Sequence, residues 1–269
     1  MADSVSGGDD ALVLVDRIGA IARLTLNRPE QFNALTGDMI GRLDGALRSL
    51  GADPSVRVIV LAAAGRAFCA GHDLRDVQQT AAAGGQVAAA ELFARCSRMM
   101  QTIQSIPQPV IARVHGVATA AGCQLVAMCD LAVASSDARF AVSGVNLGLF
   151  CATPGVALSR NMSRKQAFEM LVTGEFIDAS TALERGLINR VVASDSLDHE
   201  IASLAATICA KPAHAIGMGK QLFYRQLEMG IAGAYQLAGQ TMACNLVAEP
   251  TQEGIDAFLE KRPPRWTAP

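Results

Sequence analysis

Aromatic side chains are scarce: Phe, Tyr and Trp make up 4% of the 269 residues, with one Trp and two Tyr. Single-stranded nucleic acid is held by stacked aromatics among basic residues, and no such interleaving occurs here. A dominant sign of charge is missing as well. With 23 Lys and Arg against 25 Asp and Glu, the formal net charge is −2, which gives neither a nucleic-acid backbone nor an anionic membrane surface an electrostatic reason to bind. Metal-ligand spacing is absent too. Cys69, Cys96, Cys123, Cys129, Cys151, Cys209 and Cys244 are odd in number, scattered and mostly inside apolar runs, and His72, His115, His199 and His214 form no cluster. These are read as reduced core thiols, and metal catalysis is not expected.

Other signatures fail on inspection. The longest apolar stretch, Ile111–Ala134, is interrupted by Arg113, His115, Gln124 and Asp130, so it reads as core and not as a membrane span. No G-x-S-x-G nucleophile elbow occurs. GMGK at Gly217–Lys220 resembles the end of a phosphate loop, but the first glycine of that motif falls on His214 and Gln221 replaces the hydroxyl residue, so it is read as helix. The opening MADSVSGGDD has neither the basic start and apolar core of a secretory signal nor the arginine-rich pattern of a mitochondrial one. It is read as a disordered lead-in over residues 1–10, and cytoplasm is the default location.

What is present is ample apolar surface, 51% of residues, in alternating β and α patterns. Ala11–Arg17 and Ala20–Asn27 read as a hairpin around Ile18–Gly19. Thr36 caps a helix whose Met39, Ile40, Leu43, Leu47 and Leu50 share a face. Val56–Ala63 is a buried strand. Gly84–Gly85 interrupts an alanine-rich stretch, after which Leu92, Phe93, Cys96, Met99, Met100 and Ile103 form a core-type helical stripe ending before Pro107. Leu131–Ala134 and Arg139–Val142 are short strands. Beyond Ser163, an N-cap, the pattern is almost wholly helical: 166–173, 180–185, 197–210, 213–228, 231–247 and 251–261. The chain is therefore divided into an α/β core over 11–195 and a helical region over 196–269.

Two strand ends carry the functional signal. Pro109–Asp130 reads as strand, turn at His115–Gly116, and a small-residue helix start at Thr119–Gly122, where Ala120, Ala121 and Gly122 would present unpaired N–H donors. The loop GRAFCAGHDL, Gly65–Leu74, follows the strand Val56–Ala63. Ligand sites in α/β proteins gather at such strand ends, and a carbonyl gaining negative charge makes best use of such donors.

Phe68–Leu74 (FCAGHDL) followed by His115–Leu125 (HGVATAAGCQL) resembles the paired signature of the crotonase superfamily, the enoyl-CoA hydratases and isomerases. The likeness extends through Asn27–Leu35, Cys129–Ser135, Leu171–Val192 and Glu253–Pro264, and is nearest to the enoyl-CoA hydratase domain-containing branch, through Ala118–Leu125 and Gly144–Leu158. The resemblance implies an α/β fold, a spiral of ββα units with a C-terminal helical trimerisation region, assembled as a homotrimer or dimer of trimers. It also implies an oxyanion hole made by the N–H groups of His72 and Ala121 around the thioester oxygen of an acyl-CoA.

The family's two catalytic glutamates map onto Gln124 and Gly144. A glutamine cannot take a proton from water and a glycine offers no side chain, so the hydratase pair is missing. Replacement proton carriers are sought among Cys151, Asn146, Ser143, His115 and the His72 ring. For coenzyme A, which arrives as part of the substrate with no permanently bound cofactor expected, the resemblance implies contacts from Arg28, the loop Arg66 to Gly71 with Ala70, and Asp73 and Leu74. It adds Phe258 and Lys261 from a neighbouring subunit. Asp130 is implied to be structural. Two readings stay open: an enzyme acting on an enoyl- or enolisable acyl-CoA, or a non-catalytic acyl-CoA-binding or regulatory module.

Overall fold

The computed structural model describes residues 11–266, so the lead-in expected over 1–10 lies outside the described residues. Strands β1 (Val13–Ile18) and β2 (Ile21–Leu26) form the expected antiparallel hairpin, turning at Gly19 with φ +58°. Helix α1 (Gly37–Gly51) begins where Thr36 Oγ1 accepts the Met39 N–H at 3.1 Å. It buries the five apolar residues assigned to its inner face.

The chain then repeats one unit: β3 (Val58–Ala63), β4 (Ala67–Cys69) and α2 (Leu74–Ser105), followed by β5 (Val110–Val114), β6 (Val117–Thr119) and α3 (Ala121–Met128). β7 (Leu131–Ser135) and β8 (Arg139–Ala141) open the next turn, and α4 (Ala152–Asn161), α5 (Arg164–Thr173), β9 (Ile177–Asp178), α6 (Ala179–Glu184) and β10 (Arg190–Val192) complete it. Each turn gives its first strand to one sheet and its second to another. The larger sheet runs β1-β2-β3-β5-β7-β10, parallel except at β1, and the smaller runs β4-β6-β8-β9, parallel except at β9. This is the expected spiral of ββα units. The Ile111–Ala134 stretch is divided among β5, β6, α3 and β7, which accounts for its apolar character without a membrane.

Four helices finish the chain: α7 (Leu197–Cys209), α8 (Ala213–Gln226), α9 (Ile231–Leu246) and α10 (Glu249–Leu259). α7 lays Leu197, Ile201, Leu204 and Ala205 over Val58, Val60, Ile111 and Val133, covering the face of the larger sheet away from the main core. Helix α4 is not among the helices expected from the sequence, and it carries Pro154 near its start. Proline is tolerated in a helix's first turn, and that is where it falls. Within α2, Gly85 has φ +57° and ψ −145°, so the double glycine breaks the helix as its sequence suggests.

The GMGK segment is indeed helical, inside α8, and its lysine has a structural task. Lys220 Nζ is buried and donates to the carbonyls of Ile103 (2.7 Å) and Gln108 (2.8 Å) and to Asp130 Oδ2 (2.6 Å). Asp130 also accepts the Val110 N–H at 2.6 Å and the Tyr224 hydroxyl at 2.9 Å. Its place at the end of α3 is therefore that of a clamp between α8 and the strand β5.

Candidate functional site

Two backbone segments meet at the tops of β4 and β6 because glycines let them. A Cβ on Gly122 would stand 2.1 Å from the Cys69 carbonyl oxygen, and one on Gly71 would stand 2.8 Å from the Ala120 Cβ and 3.1 Å from the Ala121 nitrogen. Gly116, read as a turn residue, is also there for space: its Cβ would stand 2.5 Å from the Arg66 carbonyl oxygen. His115 Nε2 lies 2.8 Å from the Gly65 carbonyl oxygen, tying the same two connections together.

This packing leaves particular N–H groups free. Leu35 pairs with the Gly71 carbonyl (2.7 Å) and the Asp73 N–H (3.0 Å), so its bridge to the 71–73 segment bypasses the His72 N–H. At α3 the Ala120 N–H donates to the Ala141 carbonyl at 3.0 Å, which removes it from the donors expected there. Ala121 and Gly122 remain, and of the two Ala121 borders the cavity beside it: among the described residues neither its N–H nor that of His72 has a hydrogen-bond acceptor. Ala120 itself sits at φ +50°, ψ −121°, a strained conformation for a residue with a Cβ and one that turns the chain into the helix start.

Both residues border a cavity of about 250 Å³, which brings together Ala70, His72, Leu74, Ala121, Gly144 and Cys151 of the predicted site. Ser143 borders it as well, its hydroxyl 3.0 Å from Thr119 Oγ1. Residues not anticipated complete the wall: Val77 and Phe93 from α2, and Leu147, Leu149, Phe150 and Pro154 from the stretch after β8. Phe93 had been grouped with the core stripe; it is half-buried and meets the His72 ring edge-on at 5.3 Å. Leu147, Leu149 and Phe150, at and just past the end of a 3-10 turn over Ser143–Leu147, stay exposed. They form an apolar cluster outside any α-helix or strand, and that cluster was the signal that could have found this wall.

Several candidates lie elsewhere. His115 and Asn146 do not border the cavity, the first being held at Gly65 and the second packed against Gly174. Gln124, 5% exposed, is one turn into α3 and behind the wall, and its Oε1 has no partner among the described residues. Gly144 is at the wall, but the space a side chain there would need is taken. Its N–H donates to Cys151 Sγ at 3.3 Å, and an added Cβ would stand 2.7 Å from that sulfur and 2.5 Å from the Leu149 carbonyl oxygen. Burial pushes the Cys151 thiol up, against the pull of the Gly144 N–H, so it stands as a neutral thiol.

Restoring carboxylates by Gln124→Glu with Gly144→Glu is accordingly expected to yield no water addition to an enoyl thioester and a lowered melting temperature. Gly144→Ala alone should already lower it, as differential scanning calorimetry would register. A double variant as stable as the wild type would mean the stretch yields easily.

The residues assigned to coenzyme A are dispersed. Arg28 donates to the Ala34 carbonyl at 2.7 Å and pairs with Asp73 at 3.2 Å, both side chains being less than one-fifth exposed. Asp73 also caps α2, accepting the Arg75 N–H at 3.0 Å, which fixes the turn that follows His72. Arg66 lies exposed with its guanidinium carbon 4.4 Å from the centre of the Phe32 ring. Phe258 and Lys261 are exposed at the end of α10.

The ββα spiral and its pair of strand-end segments define a class, and comparison with known proteins agrees. The enoyl-CoA hydratase/isomerase family matches residues 16–269, and the chain belongs to it. It is 44% identical over 256 residues to the mitochondrial enoyl-CoA hydratase domain-containing protein 3 of Xenopus laevis, covering 95% of this chain and 86% of that protein. With the human protein of the same name it shares 43% over 251 residues, 93% of this chain and 82% of that one. Among solved structures, an enoyl-CoA hydratase from Mycobacterium smegmatis superimposes with a TM-score of 0.92 at 58% identity, over 96% of this chain and 99% of that one. The human domain-containing protein 3 does so with 0.91 at 42%, over 95% and 100%. The cytoplasmic default does not stand against these relatives, since the vertebrate proteins are named mitochondrial. Compartment is set by address signals, on which the composition of a folded core is silent.

Proposed function

We propose that this chain binds an acyl-CoA thioester with its carbonyl oxygen between the N–H groups of His72 and Ala121, and acts on an enoyl- or enolisable acyl chain without a two-glutamate pair. The observation that carries this is the coincidence of two unpaired backbone donors at the edge of one mostly apolar cavity. Donors aimed at a developing oxyanion are each worth about 2.7–4 kcal/mol in a transition state, enough to support an enolate. The α-proton passes to the neutral His72 imidazole or to solvent. The C–H bonding pair forms the enolate double bond as the carbonyl π pair moves onto the held oxygen, and return of a proton from the same source to carbon closes the cycle. Side chains at the cavity with an exchangeable proton are His72, Ser143, Cys151 and Thr153.

Coenzyme A would come and go with the acyl group, its nucleotide near Arg66 and the backbone of the 66–71 loop. Phe258 and Lys261, exposed here, are assigned to the nucleotide of a neighbouring copy. Apolar side chains exposed along α8–α10, among them Phe223, Ile231, Tyr235 and Met242, support a homotrimer or a dimer of trimers. A mitochondrial location, carried over from the names of the vertebrate relatives, replaces the cytoplasmic one.

A second reading has its own observation: no Asp, Glu, Lys or Arg borders the cavity among the described residues. A lost acid or base lowers rates by about 10²–10⁴, and the site would then hold acyl-CoA without turning it over.

Incubation with saturated and trans-2-enoyl-CoA thioesters in heavy water, followed by mass spectrometry of the thioesters, separates the two. Deuterium at the α-carbon without water addition is the expected result. Saturable binding with no exchange would establish the binding module instead.

A further inference from the structure

We propose that His72 is a specificity-determining residue, its imidazole taking up an uncharged hydrogen-bonding substituent, a hydroxyl in the first instance, on the early carbons of the acyl chain. The assignment depends on the acyl-CoA reading of the cavity and goes beyond the donor role given to the His72 backbone. The ring belongs to the residue whose N–H faces the thioester oxygen, so it reaches no farther than one side chain from that carbonyl.

The ring borders the cavity with Phe93 against it, the two planes at 87°. Neither ring nitrogen has a hydrogen-bond partner among the described residues; Nε2 is sealed from solvent, and Nδ1 is the nitrogen left open to a ligand. A ligand group that reaches Nδ1 meets a nitrogen no protein group engages, and a hydrogen bond made there within a mostly apolar cavity is favourable. Two neighbouring polar side chains are already engaged: the Ser143 hydroxyl with Thr119, and the Cys151 sulfur with the Gly144 N–H.

The chemistry of the ring selects the partner. Burial pushes the His72 imidazole down, more than Asp76 draws it up, so it stands neutral with one donor and one acceptor nitrogen. A hydroxyl also donates and accepts. A carboxylate on the acyl chain would enter a wall with no cationic side chain and lose its hydration unpaired.

The test compares dissociation constants by isothermal titration calorimetry for butyryl-CoA, 2-hydroxybutyryl-CoA and 3-hydroxybutyryl-CoA. In the wild-type protein at least one hydroxyacyl thioester is expected to bind about tenfold tighter than butyryl-CoA. In His72→Phe, which keeps the backbone N–H and an aromatic ring, that ratio should fall to about one. In His72→Asn, whose carboxamide replaces Nδ1, it should recover to several-fold. A wild-type ratio near one, or a ratio that His72→Phe leaves intact, overturns the role of the ring while leaving acyl-CoA binding standing. Failure of all three thioesters to bind saturably overturns the acyl-CoA reading, and this assignment with it.

Discussion

Lys220→Met is expected to lower the unfolding free energy by about 3–5 kcal/mol, the loss typical when one member of a buried ion pair is removed. The lysine holds together groups remote in sequence: two carbonyls at the end of α2 and beyond it, and the Asp130 carboxylate that also receives Val110 and Tyr224. Burial pushes the Asp130 carboxyl up and the Lys220 amine down, each partly offset by the other's charge. Desolvation therefore opposes ionisation at both ends, so the pair adds little over an apolar contact while half of it is strongly destabilising. Urea unfolding gives the measurement. The triple replacement Asp130→Leu, Lys220→Met, Tyr224→Phe, which removes the charges and the phenol together, is expected to be more stable than Lys220→Met alone. A triple variant no better than the single would show that packing, and not a stranded carboxylate, causes the loss.

Ala121→Pro is expected to reduce α-proton exchange by about 10²–10³, the effect of deleting one donor to a developing oxyanion. The position is well placed for the experiment. Ala121 is the first residue of α3, where a missing N–H breaks no intrahelical bond and the φ of proline suits the helix. Circular dichroism and the melting temperature establish that the variant is folded, and exchange in heavy water and calorimetric binding report on the site. Unchanged exchange in a folded Ala121→Pro protein would count against the donor pair. A loss of affinity in a protein that shows no exchange at all would support the binding-module reading with the same two donors.

Local signals in the sequence predicted what local physics controls. Thr36 and Ser163 cap the helices assigned to them, the hairpin turns at Gly19, and the apolar faces of α1 and, Phe93 apart, of the second half of α2 are buried as their spacing requires. The meeting of the segments that carry His72 and Ala121 was legible through the glycines of their motifs: Gly71 and Gly122 allow the close approach of one backbone to another. Less legible were features set by tertiary packing. The Lys220 clamp joins residues more than a hundred positions apart, and no periodicity marks it. Gly144 reads as a position from which a side chain is missing, whereas its neighbourhood is filled by Cys151 and the Leu149 backbone. The cavity wall at Leu147–Phe150 has no regular period, and α4, not among the expected helices, carries a proline that its first turn accommodates.

The connections between the paired strands are short: residues 64–66 lead from β3 to β4, 115–116 from β5 to β6, and 136–138 from β7 to β8. Each serves two sheets at once, so one inserted residue would shift a strand in one sheet against its partner in the other. Length variation is consequently barred from the part of the chain that sets the two N–H groups. The wall is made instead by the first half of α2 and the stretch between β8 and α4, longer segments that are not tied to both sheets and can change length without that shift. Changes of cavity shape can thus accumulate by indels there, while the backbone that carries the two unpaired N–H groups keeps a constant frame.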